Sequence, residues 1–500
     1  MASKHKYNQA IWSTVPESVS PRESLQEDIE VDVAIIGAGI TGITTAYYLK
    51  QTDKKIAVLE SHKAGHGTTG SSTGNLYIPT GKFHEILKKH GQKELKNVIS
   101  ARKEALEFIE NTIVKHSIDC SFKRVPWYYF SSMEGNASNM VKKEFEAIKK
   151  AGVDADNDVP DNFPFPVTSF ATVEMQSQFN PLQYVQKLAA VIEDENCSIY
   201  ENTKVTDIKD GDPCILDTGK GTVKAKKVVQ ATHTPKGIYA VHAGMKVFRE
   251  YAMAAKINNN LPSDGIYWYQ DEKNMYSIRT YENEQGSFLI VLDDSHLVGH
   301  KKKTEASYDK VEKFLRSNFS VQDINYLWAA QNYRSADDIP YIGTSLLQTN
   351  IYIATGFSTD GLIWGAAAAK IISDLINNIE NPLASTFNPN RCTPSASFSQ
   401  FASENIHVIK HLVKNYLSKG DSIELQELNS GEAKVVKIKN KKHAAYRSEE
   451  GKLSIVSAIC PHMGCVVQWN SAEKSWDCPC HGSRFSLDGE VLEGPAIKDL

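Results

Sequence analysis

The segment Val31–Glu60, VDVAIIGAGITGITTAYYLKQTDKKIAVLE, is the feature that most limits how this chain can fold. A near-continuous apolar strand runs into a glycine turn, then a helix with apolar spacing, then a second apolar strand that ends in an acid. Gly37, Gly39 and Gly42 form the turn, and Glu60 follows eighteen residues after the last glycine. Such glycines let the backbone approach a pyrophosphate at a helix N-terminus, and the acid suits a ribose hydroxyl. The segment predicts a dinucleotide site; the alternative is a structural turn in another α/β protein.

Two further segments favour FAD over NAD as the dinucleotide. A loop rich in glycine, serine and threonine, SHKAGHGTTGSSTGNL, follows Glu60 and offers donors for a phosphate and a flavin ring. Far downstream, Asn350–Ile376 predicts a strand, a glycine turn and a helix whose N-terminus could stabilise negative charge on a reduced flavin. The candidate FAD-binding residues are Gly37, Gly39, Ile40, Thr41, Gly42, Glu60, Thr68, Thr69, Ser71, Ser72, Thr73, Val205, Thr232, Gly356, Gly361 and Leu362.

Composition limits the class of protein. A chain of 500 residues with 41% hydrophobic residues has room for two or three domains. The formal net charge of -4 gives no basic footprint, so we expect no nucleic-acid partner. The first residues carry no apolar signal region, and the most apolar stretch, from Gly361, is interrupted by Lys370 and Asp374. We therefore expect a cytoplasmic protein without a transmembrane segment.

A cluster of cysteines and histidines near the C-terminus predicts a metal centre. The segments CPHMGC and CPCHGSRF hold four of the eight cysteines. Cys460-x-His462, then fifteen residues, then Cys478-x2-His481 supplies two thiolates for one iron and two imidazoles for the other, which is the Rieske pattern for one 2Fe-2S cluster. Zinc, the alternative, is normally bound by repeated CxxC or by CxxC with HxxxH.

The order of the N-terminal motifs, with RSADDIPYIG from Arg334, resembles the FAD-dependent amine and amino-acid oxidoreductases, which include glycine oxidase, sarcosine oxidase and D-amino-acid oxidase. The resemblance spans about Val31 to Ile376. It implies a Rossmann-like FAD-binding region interleaved with an antiparallel substrate sheet. The segments KVFREYAMAAKI, MYSIRTY and SFLIVLDD have the alternation expected of that sheet.

This resemblance implies an amine or amino-acid substrate that transfers a hydride to the flavin. Arg334 matches the arginine that pairs with a substrate carboxylate in glycine oxidase, and a planar guanidinium suits that role. Arg279 and Tyr251 are further catalytic candidates. Asp360 stands where relatives often carry histidine, and His66 is interpreted as structural, so no residue is clearly placed to attach the flavin covalently.

The C-terminal motifs resemble the Rieske proteins of quinol-oxidising cytochrome complexes. That resemblance, over roughly residues 431–500, implies a disulfide between Cys465 and Cys480. It also implies that Ser483 hydrogen-bonds a cluster sulfur, while Phe485 replaces a tyrosine of the relatives. The lysines between Lys434 and Lys442 are interpreted as solvated strand edges, with a docking patch for an acidic partner as the alternative.

The expected fold is α/β (α+β), with a small all-β Rieske domain at the end. We expect an FAD-dependent oxidoreductase domain at 1–384, a linker with a possible helix at 385–422, and the Rieske domain at 423–500. Within the first domain, the nucleotide-binding segments are about 31–80, 172–235 and 330–380, and the substrate-sheet segments are about 81–171 and 236–329.

The expected activity is a two-centre dehydrogenase, in which FAD oxidises the substrate and the cluster relays electrons singly to an unknown acceptor. One alternative is an oxidase that uses oxygen and keeps the cluster for structure. Another is a redox-sensing scaffold without turnover. A ring-hydroxylating oxygenase is disfavoured because the chain offers no convincing set of two histidines and a carboxylate for a mononuclear iron.

Overall fold

The computed structural model describes residues 6–7, 9–14, 21–258, 261–345, 348–391 and 428–500. Residues up to 391 form an N-terminal region with two large sheets, and residues 428–500 form a C-terminal domain with two small sheets. The expected linker at 385–422, with its possible helix, lies mostly outside the described residues. Strands and helices are numbered below in chain order.

The first sheet of the N-terminal region has a parallel centre. Its order is β16-β17-β10-β2-β3-β7, with β9 and then β8 added beside β10. The central strands pair in parallel and read as apolar runs because both faces are covered, one by helices and the other by the segment that contains β8 and β9. The strands are β2 Ile29–Ile36, β3 Ile56–Leu59, β7 Cys197–Tyr200, β8 Asp207–Lys209, β9 Cys214–Asp217, β10 Thr222–Gln230, β16 Tyr341–Thr344 and β17 Ile351–Thr355.

The second sheet has nine strands in the order β1-β15-β11-β14-β13-β12-β5-β6-β4. Most neighbours are antiparallel, and the long pair β11 and β15 lies beside the short edge strand β1. The strands are β1 Lys6–Tyr7, β4 Asn75–Leu76, β5 Lys123–Ser131, β6 Ser169–Gln178, β11 Met245–Ile257, β12 Ile266–Gln270, β13 Met275–Asn283, β14 Gly286–Leu297 and β15 Val321–Ser335.

Seven helices accompany these sheets in the described part of the chain. The apolar faces of α1, α2, α4 and α6 meet the first sheet in the largest hydrophobic core. The second helix is interrupted at Gly91, whose φ is 83°. The helices are α1 Ile40–Leu49, α2 Phe83–Lys115, α3 Asn136–Lys150, α4 Pro181–Ile192, α5 Glu305–Asn318, α6 Gly361–Ile376 and α7 Ala384–Phe387.

The C-terminal domain is all-β. Three antiparallel strands form one sheet and four form the other, and a compact core of aromatic, aliphatic and cysteine side chains lies between them. The strands are β18 Ala433–Ile438, β19 Lys441–Arg447, β20 Leu453–Ser457, β21 Gln468–Asn470, β22 Ser475–Asp477, β23 Arg484–Phe485 and β24 Val491–Glu493. The expected fold class, an α/β region followed by a small all-β domain, is confirmed.

A buried ionic network joins the two regions. Arg249, on β11, donates to Glu473 at 2.7 Å and to Glu493 at 3.0 Å. Arg484, within the C-terminal domain, also pairs with both carboxylates. Burial raises the pKa of Glu493, but Arg249 and Arg484 outweigh it and lower the pKa to about 2. The network is therefore charged at neutral pH and ties β11 to the C-terminal domain.

The described helices include none that is both long enough and apolar enough to cross a membrane.

Replacing Arg249 by methionine should detach or strongly destabilise the docked C-terminal domain. The change leaves two acids buried with one fewer cation, which costs about 3–5 kcal/mol. Small-angle scattering and thermal unfolding would report the loss. The matched control is Lys204→Met, which removes the exposed inter-region pair with Asp499 and should cost at most about 1 kcal/mol. Equal effects of the two substitutions would contradict the assignment.

Candidate flavin site and candidate iron–sulfur centre

The glycine turn after β2 brings three backbone segments too close for side chains. Gly37 has a φ of 102°, and a Cβ there would lie 2.6 Å from the carbonyl oxygen of Ala231. A Cβ on Gly42 would lie 1.9 Å from the carbonyl oxygen of Gly37. Glycine is therefore required at these two positions, and the backbone at the start of α1 can be approached closely, as a pyrophosphate site requires. The Glu60 carboxylate lies at the same turn and accepts from the Ala38 N–H at 2.9 Å.

The hydroxyl-rich loop after β3 is held over this turn from several sides. Thr69 Oγ1 accepts from the Ile40 N–H at 3.1 Å, at the start of α1. The carbonyl of Ser71 accepts from an indole of β15, that of Trp328, at 2.8 Å. The carbonyl of Ser72 accepts from the indole of Trp12 at 2.7 Å. These contacts fix the backbone of the loop between α1 and the second sheet.

A second helix N-terminus completes the candidate flavin site. Helix α6 begins at Gly361, where a Cβ would meet nothing within 4 Å, so the space in front of the helix is open. Asp360, at its N-cap, is buried and pairs with Arg102 at 2.8 Å and with the Tyr77 hydroxyl at 2.8 Å. Arg102 is fully buried on α2 and was not predicted from the sequence. A lone arginine among the apolar positions of α2 was the available signal.

The other predicted FAD-binding residues lie around these elements. Gly356 has a φ of 78° in the turn before α6, and Leu362 is buried in the first turn of that helix. Thr232 follows β10 and donates through its hydroxyl to the Thr234 carbonyl at 2.7 Å. Val205 is buried with the apolar residues between β7 and β8. The carbonyl of Thr73 accepts from Arg279 at 2.9 Å.

The three substrate-site candidates lie in different places. Arg334, at the end of β15, pairs with Glu250 at 2.7 Å, and its backbone bridges Phe357 in the turn before α6. Arg279 is buried, and its guanidinium donates to backbone carbonyls only. Burial lowers the pKa of Arg279 to about 9. Tyr251 is the cross-strand partner of Ala329, which is an odd number of residues from Arg334 along β15. Because side chains alternate along a strand, Tyr251 and Arg334 project from opposite faces of the sheet.

The structure therefore does not bring Arg279 and Tyr251 to Arg334. Arg279 fixes the turn at Thr73 and Gly74, while Tyr251 stacks on His296. Their contact with a substrate stays a prediction, and Arg334 is the candidate that the geometry favours.

In the C-terminal domain, the four predicted cluster ligands form two close pairs, one of thiols and one of imidazoles. Cys460 and Cys478 are buried free thiols, whereas Cys465 and Cys480 are joined by a disulfide. The rings of His462 and His481 lie 4.9 Å apart between centroids. The buried Nδ1 of His481 has no hydrogen-bond partner among the described residues. An orphaned imidazole nitrogen beside two free thiols fits a cluster that supplies the missing bonds.

Hydrogen-bond donors converge on one of these thiols. A hydrogen bond from Cys478 lowers the pKa of Cys460, whereas burial raises it. The N–H groups of His462 and Met463 and the Ser483 hydroxyl also lower it, and the pKa falls to about 7. Ser483 also accepts from the Ala496 N–H at 3.0 Å, which fixes its orientation. These donors stabilise negative charge on the Cys460 sulfur.

The two candidate histidine ligands face the N-terminal region. His462 Nε2 lies 3.1 Å from the carbonyl oxygen of Gly237. The buried ring of His242 lies 5.1 Å from that of His462 and 5.9 Å from that of His481, between centroids. The side of the candidate iron centre formed by the two histidines, here called the histidine edge, is therefore covered by the segment that follows β10.

A continuous chain of contacts links the candidate flavin loop to the second cluster loop. Thr68 Oγ1 lies 3.2 Å from His233 Nδ1, and the His233 ring meets the Tyr333 ring edge-on at 4.8 Å. The Tyr333 hydroxyl accepts from Gln331 Nε2 at 2.8 Å, and the same amide donates to the Gly482 carbonyl at 2.9 Å. Gly482 directly follows a candidate iron ligand. None of these bridging residues was predicted from the sequence.

Comparison with known proteins decides what these two sites are. The model of the FAD dependent oxidoreductase family matches residues 32–375. The chain belongs to this family of oxidoreductases. The Rieske [2Fe-2S] domain model matches residues 420–500, so the family member carries a 2Fe-2S domain as well as an FAD domain.

Individual relatives agree with this assignment. The Bacillus subtilis protein YhfW, named as a Rieske 2Fe-2S iron-sulfur protein, is 35% identical over 100% of this chain and 99% of its own length. The γ-glutamylputrescine oxidoreductase of Escherichia coli is 22% identical over 74% of this chain and 89% of its own. The solved structure of Geobacillus kaustophilus glycine oxidase, at 15% identity, covers 73% of this chain and 99% of its own with a TM-score of 0.60.

The oxidoreductase should respond to loss of the Ser483 hydroxyl with a lower reduction potential of its Rieske centre. A donor to a cluster sulfur stabilises the more negative reduced state, and losing part of a bond of about 1.5–3 kcal/mol corresponds to about 20–60 mV. Voltammetry of the Ser483→Ala protein would measure the shift. Ser486→Ala, whose hydroxyl serves a turn in the same domain, should leave the potential unchanged. A positive or absent shift in Ser483→Ala would contradict the role.

Proposed function

We propose that this oxidoreductase oxidises an amine or amino acid and passes the electrons, one at a time, through its Rieske domain to a separate acceptor. When bound, FAD accepts a hydride from the carbon beside the amine nitrogen, and a Rieske centre accepts single electrons. The observation that carries the proposal is the docking of the candidate iron ligands against the N-terminal region, with His462 on the Gly237 carbonyl.

The residues proposed to hold the two cofactors follow from the geometry described above. The FAD pyrophosphate and ribose would be bound by the glycine turn that leads into α1, by Glu60 and by the loop from Thr68 to Thr73. The open N-terminus of α6 would face the ring system. Cys460, Cys478, His462 and His481 would bind the 2Fe-2S cluster.

Arg334 is proposed to bind the carboxylate of an amino-acid substrate. It lies where the second sheet meets the turn before α6, because its backbone bridges Phe357 in that turn. Its side chain is 32% exposed and is already paired with Glu250 and Ser295. A substrate carboxylate would join or displace these partners, and the negative charge of Glu250 would oppose its binding unless Glu250 is displaced. γ-Glutamylputrescine oxidoreductase and glycine oxidase support this substrate class by analogy.

An oxidase that reduces oxygen and uses the cluster only for structure is the second candidate. The disulfide and the buried thiols would serve such a structural role equally well. The chain of contacts from Thr68 to Gly482 favours the relay. A cluster that only stabilised the fold would not need to lie on the side of the C-terminal domain that faces the candidate flavin site. A redox-sensing scaffold without turnover would share that geometry and differs in having no substrate.

An anaerobic panel of amines and amino acids tests the function and the relay together. A substrate should first bleach the flavin absorbance and then reduce the Rieske centre, as followed by rapid mixing and EPR. His481→Ala should keep flavin reduction and lose transfer to a one-electron acceptor, whereas His443→Ala, a half-buried histidine of β19, should change neither. Unaltered multiple turnover without the cluster would favour the oxygen-using oxidase. No reduction by any compound would favour the scaffold.

Arg334→Ala should weaken binding of the carboxylate-bearing substrates of that panel. A hydrogen bond to a charged group contributes about 1.5–3 kcal/mol, or roughly ten- to a hundredfold in apparent affinity. Anaerobic flavin titration measures it, and FAD content should stay normal. Arg316→Ala, an exposed arginine on α5 paired with Glu312, is the matched control. The role is wrong if carboxylate-bearing and carboxylate-free substrates respond alike.

A further inference from the structure

The two cluster loops differ in what covers them. The second loop, 478–482, is packed against the N-terminal region, where the Gly482 carbonyl accepts from Gln331 and His481 is buried. The first loop, 460–465, contacts the N-terminal region through His462 but turns its Pro461 and Met463 side chains to solvent. Because the histidine edge is sealed, the first loop is the side from which another molecule can approach the iron centre.

Exposed apolar side chains flank that first loop. Ile459 precedes Cys460 and is 38% exposed, and Met463 follows His462 and is 46% exposed. Ile238, which is 73% exposed, follows the glycine whose carbonyl contacts His462. Three of the ten large hydrophobic residues that are exposed in the described chain thus flank one ligand loop. A small apolar patch beside a redox centre is suited to a brief protein contact.

A lysine hairpin runs beside the same loop. The strands β18 and β19 meet at a turn that carries Lys437, Lys439, Lys441 and Lys442 within six residues. The Lys442 carbonyl accepts from the Ala458 N–H, two residues before the first iron ligand. No carboxylate of the described residues forms an ion pair with Lys437, Lys439 or Lys441. The hairpin therefore places positive charge next to the exposed loop.

Two of these lysines face each other across the strands. Lys437 and Lys442 are direct cross-strand partners, a position in which like charges destabilise a sheet. Burial, and then the charge of Lys437, lower the pKa of Lys442. Single exposed lysines are enough to protect an edge strand from pairing with another chain, so that role does not require two lysines opposite each other. The pair concentrates positive charge on this side of the hairpin, which suits a surface that binds negative charge.

We propose that Lys437, Lys439, Lys441 and Lys442, together with Ile238, Ile459 and Met463, form the docking surface for an acidic one-electron carrier protein. We call it the lysine surface. The inference rests on the proposed function, because it names the class of the acceptor. Each docking would transfer one electron from the reduced Rieske centre to the carrier, without a proton or a bond, and two dockings would follow each two-electron substrate oxidation. Charge complementarity would steer the encounter, and the small apolar patch would keep it short-lived.

The test uses the full-length holoprotein, reduced with dithionite and freed of excess reagent, so that no substrate is needed. Its reoxidation is followed with two high-potential probes, an acidic blue-copper protein and basic cytochrome c. The acidic probe should react faster, and its rate should fall as ionic strength rises. Lys437→Glu/Lys441→Glu/Lys442→Glu should slow the acidic probe at least about tenfold and speed cytochrome c. The copper-free acidic probe should bind the native protein and not the variant in calorimetry.

The matched control reverses three exposed lysines of α2, Lys88→Glu/Lys93→Glu/Lys96→Glu, which changes net charge equally and should leave both rates unchanged. Equal slowing by the control, or no slowing by the lysine-surface variant, would overturn the proposal. Lysine-dependent binding to phosphatidylcholine and phosphatidylserine vesicles without any effect on the acidic probe would assign the surface to a membrane instead. Since dithionite replaces the substrate, a failed substrate panel would reject the proposed function and leave this result readable.

Discussion

One guanidinium, that of Arg249, holds the arrangement on which both candidate sites depend. It leaves β11 of the second sheet and ends between two carboxylates of the C-terminal domain, where Arg484 shares the same acids. A buried network of this kind adds little net stability compared with apolar packing, but it fixes one orientation, because any other leaves charges unpaired. That orientation sets His462 against Gly237.

The two faces of the second sheet contact different parts of the protein. Along β15, Arg334 and Trp328 share the face toward the candidate flavin loop, whereas Gln331 and Tyr333 share the face toward the C-terminal domain. Strand alternation alone produces this division. The candidate substrate arginine, Arg334, and the bridge residues Gln331 and Tyr333 are therefore neighbours in sequence, although their side chains lie on opposite faces of one sheet.

Motifs whose meaning is local could be predicted from the sequence. The glycine turn, the acid after β3 and the paired Cys-x-His and Cys-x2-His loops each carry their geometry within a few residues. Contacts that depend on strand register could not be predicted, because a shift of one residue along a strand moves a side chain to the other face of the sheet. Tyr251 illustrates this: its type suits a substrate site, but its phase on β11 turns it away from Arg334. Arg102 and Asp360 lie far apart in the chain and meet only once α2 packs against α6.

The sealed histidine edge also constrains biosynthesis. With His462 and His481 against the N-terminal region and both free thiols buried, all four side chains are covered in the docked form. We therefore expect the C-terminal domain to receive its inorganic centre before it docks and Arg249 reaches its acids. On this expectation maturation is ordered, with metallation first and docking second, and a chain that docked early would remain a flavoprotein without iron.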